Sequence, residues 1–274
     1  MLVNNAGSSK FAGPGQEMEV FEEMVRVHLG CCAVQDDSSE KRLGDEFGFA
    51  GKGFVARNPG GLMGVWAKEN TREALFAAML KREVFATSGP RIEPRFFAGW
   101  DIPTSACDSD MPTVAYTGGV AMGSVLNTSG RSHSPLFVAA ATADAQGHAL
   151  QRLQLIKVWT GADQQIHQRV VDLDGSRPGE AWVDPATCAT GGVGHRQLCS
   201  TWQDPEFDPE QRAVYYLRVL ENPSCRWSWC QCLDYPEDER PAACRDPSIP
   251  RFIQERAWSS PIWLGEQAGD ELDF

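Results

Sequence analysis

The segment RNPGGLMGVWAKENTREALFAAMLKREVFATSGPRIEPRFFAGWD, residues 57–101, contains in turn the sequence patterns of a strand, a helix and further strands. The compact apolar run at residues 62–67 predicts a buried strand. Apolar side chains at helical spacing come next and predict a helix over residues 70–83. Asn70 or Thr71 can cap this helix, because a side-chain oxygen at that position accepts a hydrogen bond from a backbone N–H of the first turn.

The chain after this helix is rich in strand patterns, and turns rather than helices separate them. The predicted strands lie at residues 84–87, 136–141, 153–159, 166–173, 214–220 and 262–264. Strands in series favour an antiparallel sandwich over a parallel α/β sheet. We therefore predict an α+β fold, with an antiparallel β-sandwich-like domain over residues 84–264 and an acidic tail over residues 265–274.

Composition excludes two classes of partner. The formal net charge is −12 and the sequence contains no run of lysine or arginine, so we expect no binding to nucleic acid. No stretch approaches the roughly 18–20 apolar residues that cross a bilayer, so we expect no membrane span. The first residues lack a basic region followed by an apolar core, which predicts no signal peptide and a cytoplasmic chain as it stands.

The N-terminal segment resembles part of a different kind of protein. MLVNNAG at residues 1–7 and FEEMVRVHLGCCAV at residues 21–34 resemble a short-chain dehydrogenase. We interpret residues 1–35 as a fragment of this type and the polar residues 36–61 as a linker. The glycine-rich turn that binds the cofactor is missing, and no tyrosine has a lysine four residues later. An active oxidoreductase is therefore the least favoured of three alternatives.

Residues from about 42 to 264 resemble the family known as domain of unknown function 3604. The resemblance rests on the quoted segment 57–101 and on three later ones. They are LQRLQLIKVW at residues 150–159, DPEFDPEQRAVYYLRVLENPSCRWS at residues 204–228 and IQERAWSSPIWL at residues 253–264. The family is similar to the polymerase-and-histidinol-phosphatase (PHP) metal-dependent hydrolases. This resemblance implies that the strand and helix at residues 62–83 are the remnant of an α/β barrel.

The same resemblance sets the functional expectation. PHP-type relatives hold divalent manganese or zinc with H-x-H and S-D-x-H motifs and hydrolyse phosphoesters. The five histidines of this chain form neither motif, so we predict no metal site and no cofactor for the chain itself. We expect a truncated, phosphoesterase-type hydrolase relative that is inert alone. The alternative is a non-catalytic binding or accessory β-domain.

Partners follow from this expectation. The PHP resemblance suggests a small phosphoester or another small molecule as the substrate. A strand at residues 62–67 without its barrel neighbours would present a free edge and favour self-association. Full-length relatives look exported, and a gene fusion, a rearrangement or a mistaken gene assignment would each explain the joined fragments.

Two short segments carry candidate substrate-binding residues. One starts the predicted helix, and the other is the turn after residue 86, where hydroxyl and backbone donors can bind an anion. The candidates are Glu69, Asn70, Arg72, Thr87, Ser88 and Arg91. Helix capping and an ordinary turn are the simpler explanations of the same residues, and we favour them.

Six of the nine cysteines follow residue 187 and predict disulfides in an oxidising compartment. They are Cys188, Cys199, Cys225, Cys230, Cys232 and Cys244. The last four lack the paired C-x2-C spacing of structural zinc sites. We expect disulfides among those four and one between Cys188 and Cys199, and the odd total leaves at least one thiol unpaired within the chain.

Overall fold

The structure is a computed structural model that describes residues 2–5, 43, 60–161 and 163–265. Over these residues it contains three α-helices, which we number in chain order. They are α1 (Arg72–Leu80), α2 (Met111–Gly118) and α3 (Trp227–Leu233). None of these helices has the length and apolarity that a membrane-spanning helix requires.

The described part of the chain is mostly antiparallel β-structure, and its seventeen strands fall into two large and two small sheets. The strands are β1 (Leu2–Asn5), β2 (Gly61–Val65), β3 (Val84–Thr87), β4 (Glu93–Gly99), β5 (Val120–Ala121), β6 (Val125–Leu126), β7 (Leu136–Thr142), β8 (Leu150–Thr160), β9 (Ile166–Gly175), β10 (Ala181–Val183), β11 (Thr190–Gly192), β12 (Gln197–Gln203), β13 (Ala213–Glu221), β14 (Ser224–Cys225), β15 (Phe252–Ile253), β16 (Arg256–Ser259) and β17 (Ile262–Leu264).

The larger sheet is built around β13. This strand pairs with β8 on one side and with β16 and β17, one after the other, on the other side. β8 continues the sheet to β9, while β16 continues it through β3 and β2 to β1. The remaining strand, β6, is parallel to β17.

The second sheet has the order β12-β7-β4-β5 and packs face to face on the first. Inward-facing side chains of both sheets alternate along their strands and form one core, as expected for a sandwich. Its largest fully buried members include Phe96, Phe137, Leu155, Tyr215 and Leu217. The rings of Phe137 and Tyr215 lie 4.5 Å apart and join the two layers.

The outer face of the smaller sheet is covered by α2 and by a 3₁₀ turn at Ala106–Asp108. Phe97 and Val138 pack beneath them in a separate core. A disulfide between Cys107 and Cys199 joins this turn to β12. The small core and the disulfide therefore fix α2 and the 3₁₀ turn on the outer face of the smaller sheet.

The predicted sandwich-like, antiparallel class is confirmed. The strand predicted at residues 62–67 and the helix predicted at residues 70–83 are present as β2 and α1. The helix ends at Leu80, because Arg82 takes a left-handed conformation with φ 56°. β2 pairs with β1 and β3 on its two sides, so it does not present the free edge that we predicted.

Several predictions fall outside the described residues. The dehydrogenase-like fragment is described only at β1, and the helical pattern at residues 21–29 lies beyond it. Of the predicted linker at residues 36–61, the structure describes Leu43, Gly60 and Gly61. The acidic tail is described only at its first residue, Gly265.

The disulfides connect different cysteines from those predicted. Cys188 is bonded to Cys225 and Cys199 to Cys107, so the predicted pair Cys188–Cys199 is wrong. Cys188 follows β10 in a loop that packs near α3, whereas Cys199 lies on β12 of the smaller sheet. The third disulfide, Cys232–Cys244, lies within the group of four in which we expected pairing.

Candidate ligand-binding site

A cleft of about 460 Å³ lies on the outer face of the smaller sheet, beside α2. Strands β4, β7 and β12 form its floor, and the Cys107–Cys199 disulfide forms part of its wall. Its polar or polarisable lining side chains are Trp66, Glu93, Arg95, Met111, Thr142 and Gln197. The volume lies within the range of small-molecule sites, which is roughly 300–1,000 Å³.

Strand geometry explains why Arg95 faces this cleft. Side chains alternate between the two faces of a strand, so Glu93, Arg95 and Phe97 share the outer face of β4. Phe97 packs beneath α2, and the two charged residues line the cleft nearer the strand's beginning. Pro94 and Phe96 point to the other face, and both are buried.

The guanidinium group of Arg95 is stacked on the indole ring of Trp66. Its central carbon lies 3.6 Å from the ring centroid. The indole is itself fixed by two contacts. Its Nε1 donates to the carbonyl oxygen of Pro94 at 2.9 Å, and its ring centroid lies 5.6 Å from the ring centroid of Phe85. A stacked guanidinium keeps its N–H groups in one plane, which suits binding of a carboxylate or phosphate through two hydrogen bonds.

Tyr116 of α2 lies close to the same arginine. Its hydroxyl donates to Glu83, and its ring contacts Phe97 edge to face at 4.9 Å. Burial, followed by the hydrogen bond and negative charge of Glu83, raises the pKa of Tyr116 above its usual range, although Arg95 acts in the opposite direction. The phenol is therefore protonated at neutral pH and is a neutral neighbour of Arg95.

The residues predicted at the start of α1 mainly build the helix end. Thr71 is the N-cap, and its Oγ1 accepts from the backbone N–H of Ala74 at 3.3 Å. Glu69 accepts a hydrogen bond from the same hydroxyl at 3.4 Å. Asn70 and Arg72 line a separate surface cavity of about 450 Å³ along α1.

The residues predicted in the turn after β3 contact other groups of the protein itself, and two of them contact acidic side chains. Ser88 Oγ donates to Glu255 and accepts from the backbone N–H of Arg256 at 2.9 Å. Thr87 Oγ1 accepts from the backbone N–H of Gly89 at 3.2 Å.

Arg91 contributes in the same way, since its backbone N–H donates to Asp144 Oδ2 at 2.8 Å. The Ser88 hydroxyl and the Arg91 backbone N–H, two donors that we predicted for an anionic ligand, are thus directed to carboxylates. The two predicted groups also lie apart, because residues 69–72 follow β2 whereas residues 87–91 follow the antiparallel strand β3.

A buried carboxyl group was missed by the sequence-based prediction. The side chain of Glu221 is 1% exposed, and neither carboxylate oxygen has a hydrogen-bond partner among the described residues. Burial, and then the negative charges of Glu255 and Asp144, raises the pKa of Glu221 to about 8. The signal was present, because alternation along β13 places Glu221 on the same inward face as Tyr215 and Leu217.

The described residues offer little to a metal ion. Among residues 60–161 and 163–265, three potential ligand atoms come within 4.8 Å of one another at one place, the sulfurs of Cys188, Cys225 and Cys230. Two of these sulfurs are joined in a disulfide. The carboxylates around Glu221 do not come together closely enough to form such a group.

Sequence reasoning also missed Trp66, Arg95 and Tyr116. In the sequence, Arg95 is one of the charged residues in a segment whose strand alternation is imperfect. Nothing in that segment marks it as a binding residue. The stacking partner lies 29 positions away and the tyrosine 21 positions away, so no local pattern could connect them.

A comparison with family models identified the wider relationship of the chain. The model described as protein of unknown function (DUF3604) matches residues 21–266, so it includes the segment at residues 21–35 that we compared with dehydrogenases. A search among curated proteins found no match. The family match covers well over half of the chain, and the protein therefore belongs to the DUF3604 family of proteins of unknown function.

Proposed function

We propose that this chain is a non-catalytic, ligand-binding β-domain of a PHP-like metal-dependent hydrolase, and that its cleft binds a small phosphoester. The observation that carries the proposal is the Arg95 guanidinium stacked 3.6 Å over Trp66 at the wall of the cleft. Stacking orients the donors before a ligand arrives, so less conformational entropy is lost on binding.

The cleft suits a phosphoester that also carries hydroxyl groups. Arg95 would pair with the phosphate oxygens, because a charge-assisted bidentate pair is stronger than a neutral hydrogen bond. Glu93 and Gln197 line the same cleft and can accept hydrogen bonds from hydroxyls. Ala140 and Met111 supply apolar surface against the rest of the molecule.

Binding rather than catalysis fits the residues of the chain. PHP-type hydrolysis needs several imidazole and carboxylate ligands around a manganese or zinc ion, and the five histidines form neither H-x-H nor S-D-x-H. The histidines and carboxylates of the described residues do not form a three-ligand group. The described residues do not fit the metal, so we propose no hydrolytic step for them.

Titration calorimetry tests the binding proposal. We expect glycerol phosphate to bind the wild-type chain and glycerol to show no binding. Arg95→Gln should weaken glycerol phosphate binding by at least about tenfold, since a charge-assisted pair contributes about 1.5–3 kcal/mol. Arg91→Gln is the matched control, because Arg91 is exposed outside the cleft and its structural contact to Asp144 uses the backbone.

Equal affinity of wild type and Arg95→Gln would remove the cleft from consideration. A separate assay tests the non-catalytic assignment: bis-p-nitrophenyl phosphate is incubated with the chain and added manganese. We expect no turnover above that of manganese alone. Turnover that depends on the chain would show that it assembles a hydrolytic site.

A further inference from the structure

A free thiol lies directly beside a disulfide at the edge of α3. Cys230 is the unpaired cysteine among the described residues, and it is exposed. Its sulfur lies within 4.8 Å of both sulfurs of the Cys188–Cys225 disulfide. The Cys230 thiol, which can act as a nucleophile, is therefore next to a disulfide that it can attack.

Each of the three cysteines lies on a different element. Cys225 ends β14, Cys230 lies within α3, and Cys188 lies in the loop between β10 and β11. Cys188 takes a left-handed conformation with φ 57°, which is unfavourable for a residue with a side chain.

A contact independent of the disulfide holds the loop against α3. The indole Nε1 of Trp229 donates to the carbonyl oxygen of Pro185 at 2.8 Å. The neighbouring Cys232–Cys244 disulfide fixes the other side of the helix to the 3₁₀ turn at Ala242–Arg245. Opening the Cys188–Cys225 bond would therefore leave its sulfurs close to Cys230, which favours an intramolecular reaction.

We propose that Cys188, Cys225 and Cys230 form an intramolecular thiol–disulfide exchange site. The Cys230 thiolate attacks one sulfur of the Cys188–Cys225 disulfide and forms a new S–S bond with it. The old S–S bond breaks, and its electron pair leaves on the other sulfur as a thiolate. That thiolate takes up the proton that Cys230 lost, so the step needs no external oxidant or reductant.

The surroundings of Cys230 set the conditions for the reaction. Partial burial of the thiol group, and then the negative charge of Asp234, raises the pKa of the Cys230 thiol. The attacking species is the thiolate, so exchange at neutral pH is slow and becomes faster under alkaline conditions. The Cys232–Cys244 disulfide lies outside the three-sulfur group and serves as an internal reference.

Alkylation mapping of the full chain tests the proposal. The oxidised protein is held without oxygen at pH 8.5, labelled briefly with N-ethylmaleimide, and digested at acidic pH for mass spectrometry. We expect label on Cys188 or Cys225 to exceed label on Cys232 or Cys244 by at least about tenfold, because among the described residues the first pair has a free thiol within 4.8 Å and the second pair has none. In Cys230→Ser this excess should disappear, and label confined to Cys230 in the wild type would overturn the proposal.

A second pair of variants traps the exchanged bonds. In Cys188→Ser, oxidised glutathione should join Cys225 to Cys230, and in Cys225→Ser it should join Cys188 to Cys230. At least one of these disulfides must form for the exchange to be possible. If Cys230 and the remaining cysteine of the original disulfide can both still be alkylated after oxidation in each variant, the sulfurs cannot reach one another and the proposal is wrong.

Discussion

Lys157 Nζ donates to Asp204 Oδ2 at 2.6 Å at an almost solvent-free position in the sandwich. The hydroxyl of Tyr215 donates to the same oxygen at 2.7 Å, and the backbone N–H of Glu206 donates to the other oxygen. Burial works against the charged carboxylate, but the hydrogen bonds from Lys157 and Tyr215 outweigh it and lower the pKa of Asp204. The group is thus a buried, fully paired charge cluster that connects β8, β13 and the segment after β12.

Replacing Lys157 by methionine should destabilise the protein by about 3–5 kcal/mol, because the Asp204 carboxylate would remain buried without its counter-charge. Urea denaturation followed by tryptophan fluorescence measures this change. Lys68→Met is the matched control, since Lys68 is exposed and an ordinary surface change stays within about 0.5 kcal/mol. Similar midpoints for the two variants would mean that the ion pair contributes little.

The fold class followed from local patterns, whereas the sheet topology did not. Strand alternation and turn residues are local, so the strands at residues 84–87, 136–141 and 153–159 were placed close to their observed bounds. Pairing is a long-range property: β3 pairs with β16, some 170 positions later. Nothing in the local pattern at residues 62–67 could reveal that β2 has a partner on each side.

The candidate site shows the same division. Helix capping at Thr71 could be anticipated, because a cap is formed within three residues. The stacking of Arg95 on Trp66 and the burial of Glu221 beside Glu255 depend on strand registers that bring distant residues together. Disulfide pairing is limited in the same way, since cysteine spacing does not determine connectivity.

Replacing Glu221 by glutamine should make stability less dependent on pH. The folded-state pKa of about 8 lies above the ordinary value of 4.5, so the folded protein binds a proton that the unfolded chain releases between these values. Wild-type stability is therefore fully present below about pH 4.5 and falls as the pH rises through about 8. By pH 9 the loss should reach at most about 5 kcal/mol, because the pKa rises from 4.5 to about 8 and each pKa unit corresponds to about 1.4 kcal/mol.

Urea midpoints measured from pH 5 to pH 9 check this expectation. Glu221→Gln should match the wild type at pH 5, where the wild-type carboxyl is protonated, and exceed it at pH 9. Glu210→Gln changes an exposed residue and should follow the wild-type curve. A Glu221→Gln curve parallel to that of the wild type would show that this carboxyl does not titrate in the predicted window.

Replacing Thr71 by alanine should cost about 1 kcal/mol of stability, because the backbone N–H of Ala74 would lose the hydroxyl oxygen that accepts from it. Asn70→Ala changes the adjacent candidate for the cap and should leave stability within about 0.5 kcal/mol of the wild type. Urea midpoints of both variants show which of the two residues that the sequence allowed, Asn70 or Thr71, caps the helix. A larger loss for Asn70→Ala would place the helix start one residue earlier.

Removing the Cys107–Cys199 disulfide should destabilise the protein more than removing Cys232–Cys244. The first bond closes a loop with a sequence separation of 92 and the second a loop with a separation of 12. If a disulfide stabilises mainly by lowering the conformational entropy of the unfolded chain, the two bonds contribute about 4.5 and about 3 kcal/mol to the free energy of unfolding. The double variants Cys107→Ala/Cys199→Ala and Cys232→Ala/Cys244→Ala are compared by urea denaturation under non-reducing conditions. The reverse order would show that native packing around Trp229, next to the shorter loop, depends more on its disulfide than the sandwich does on the longer one.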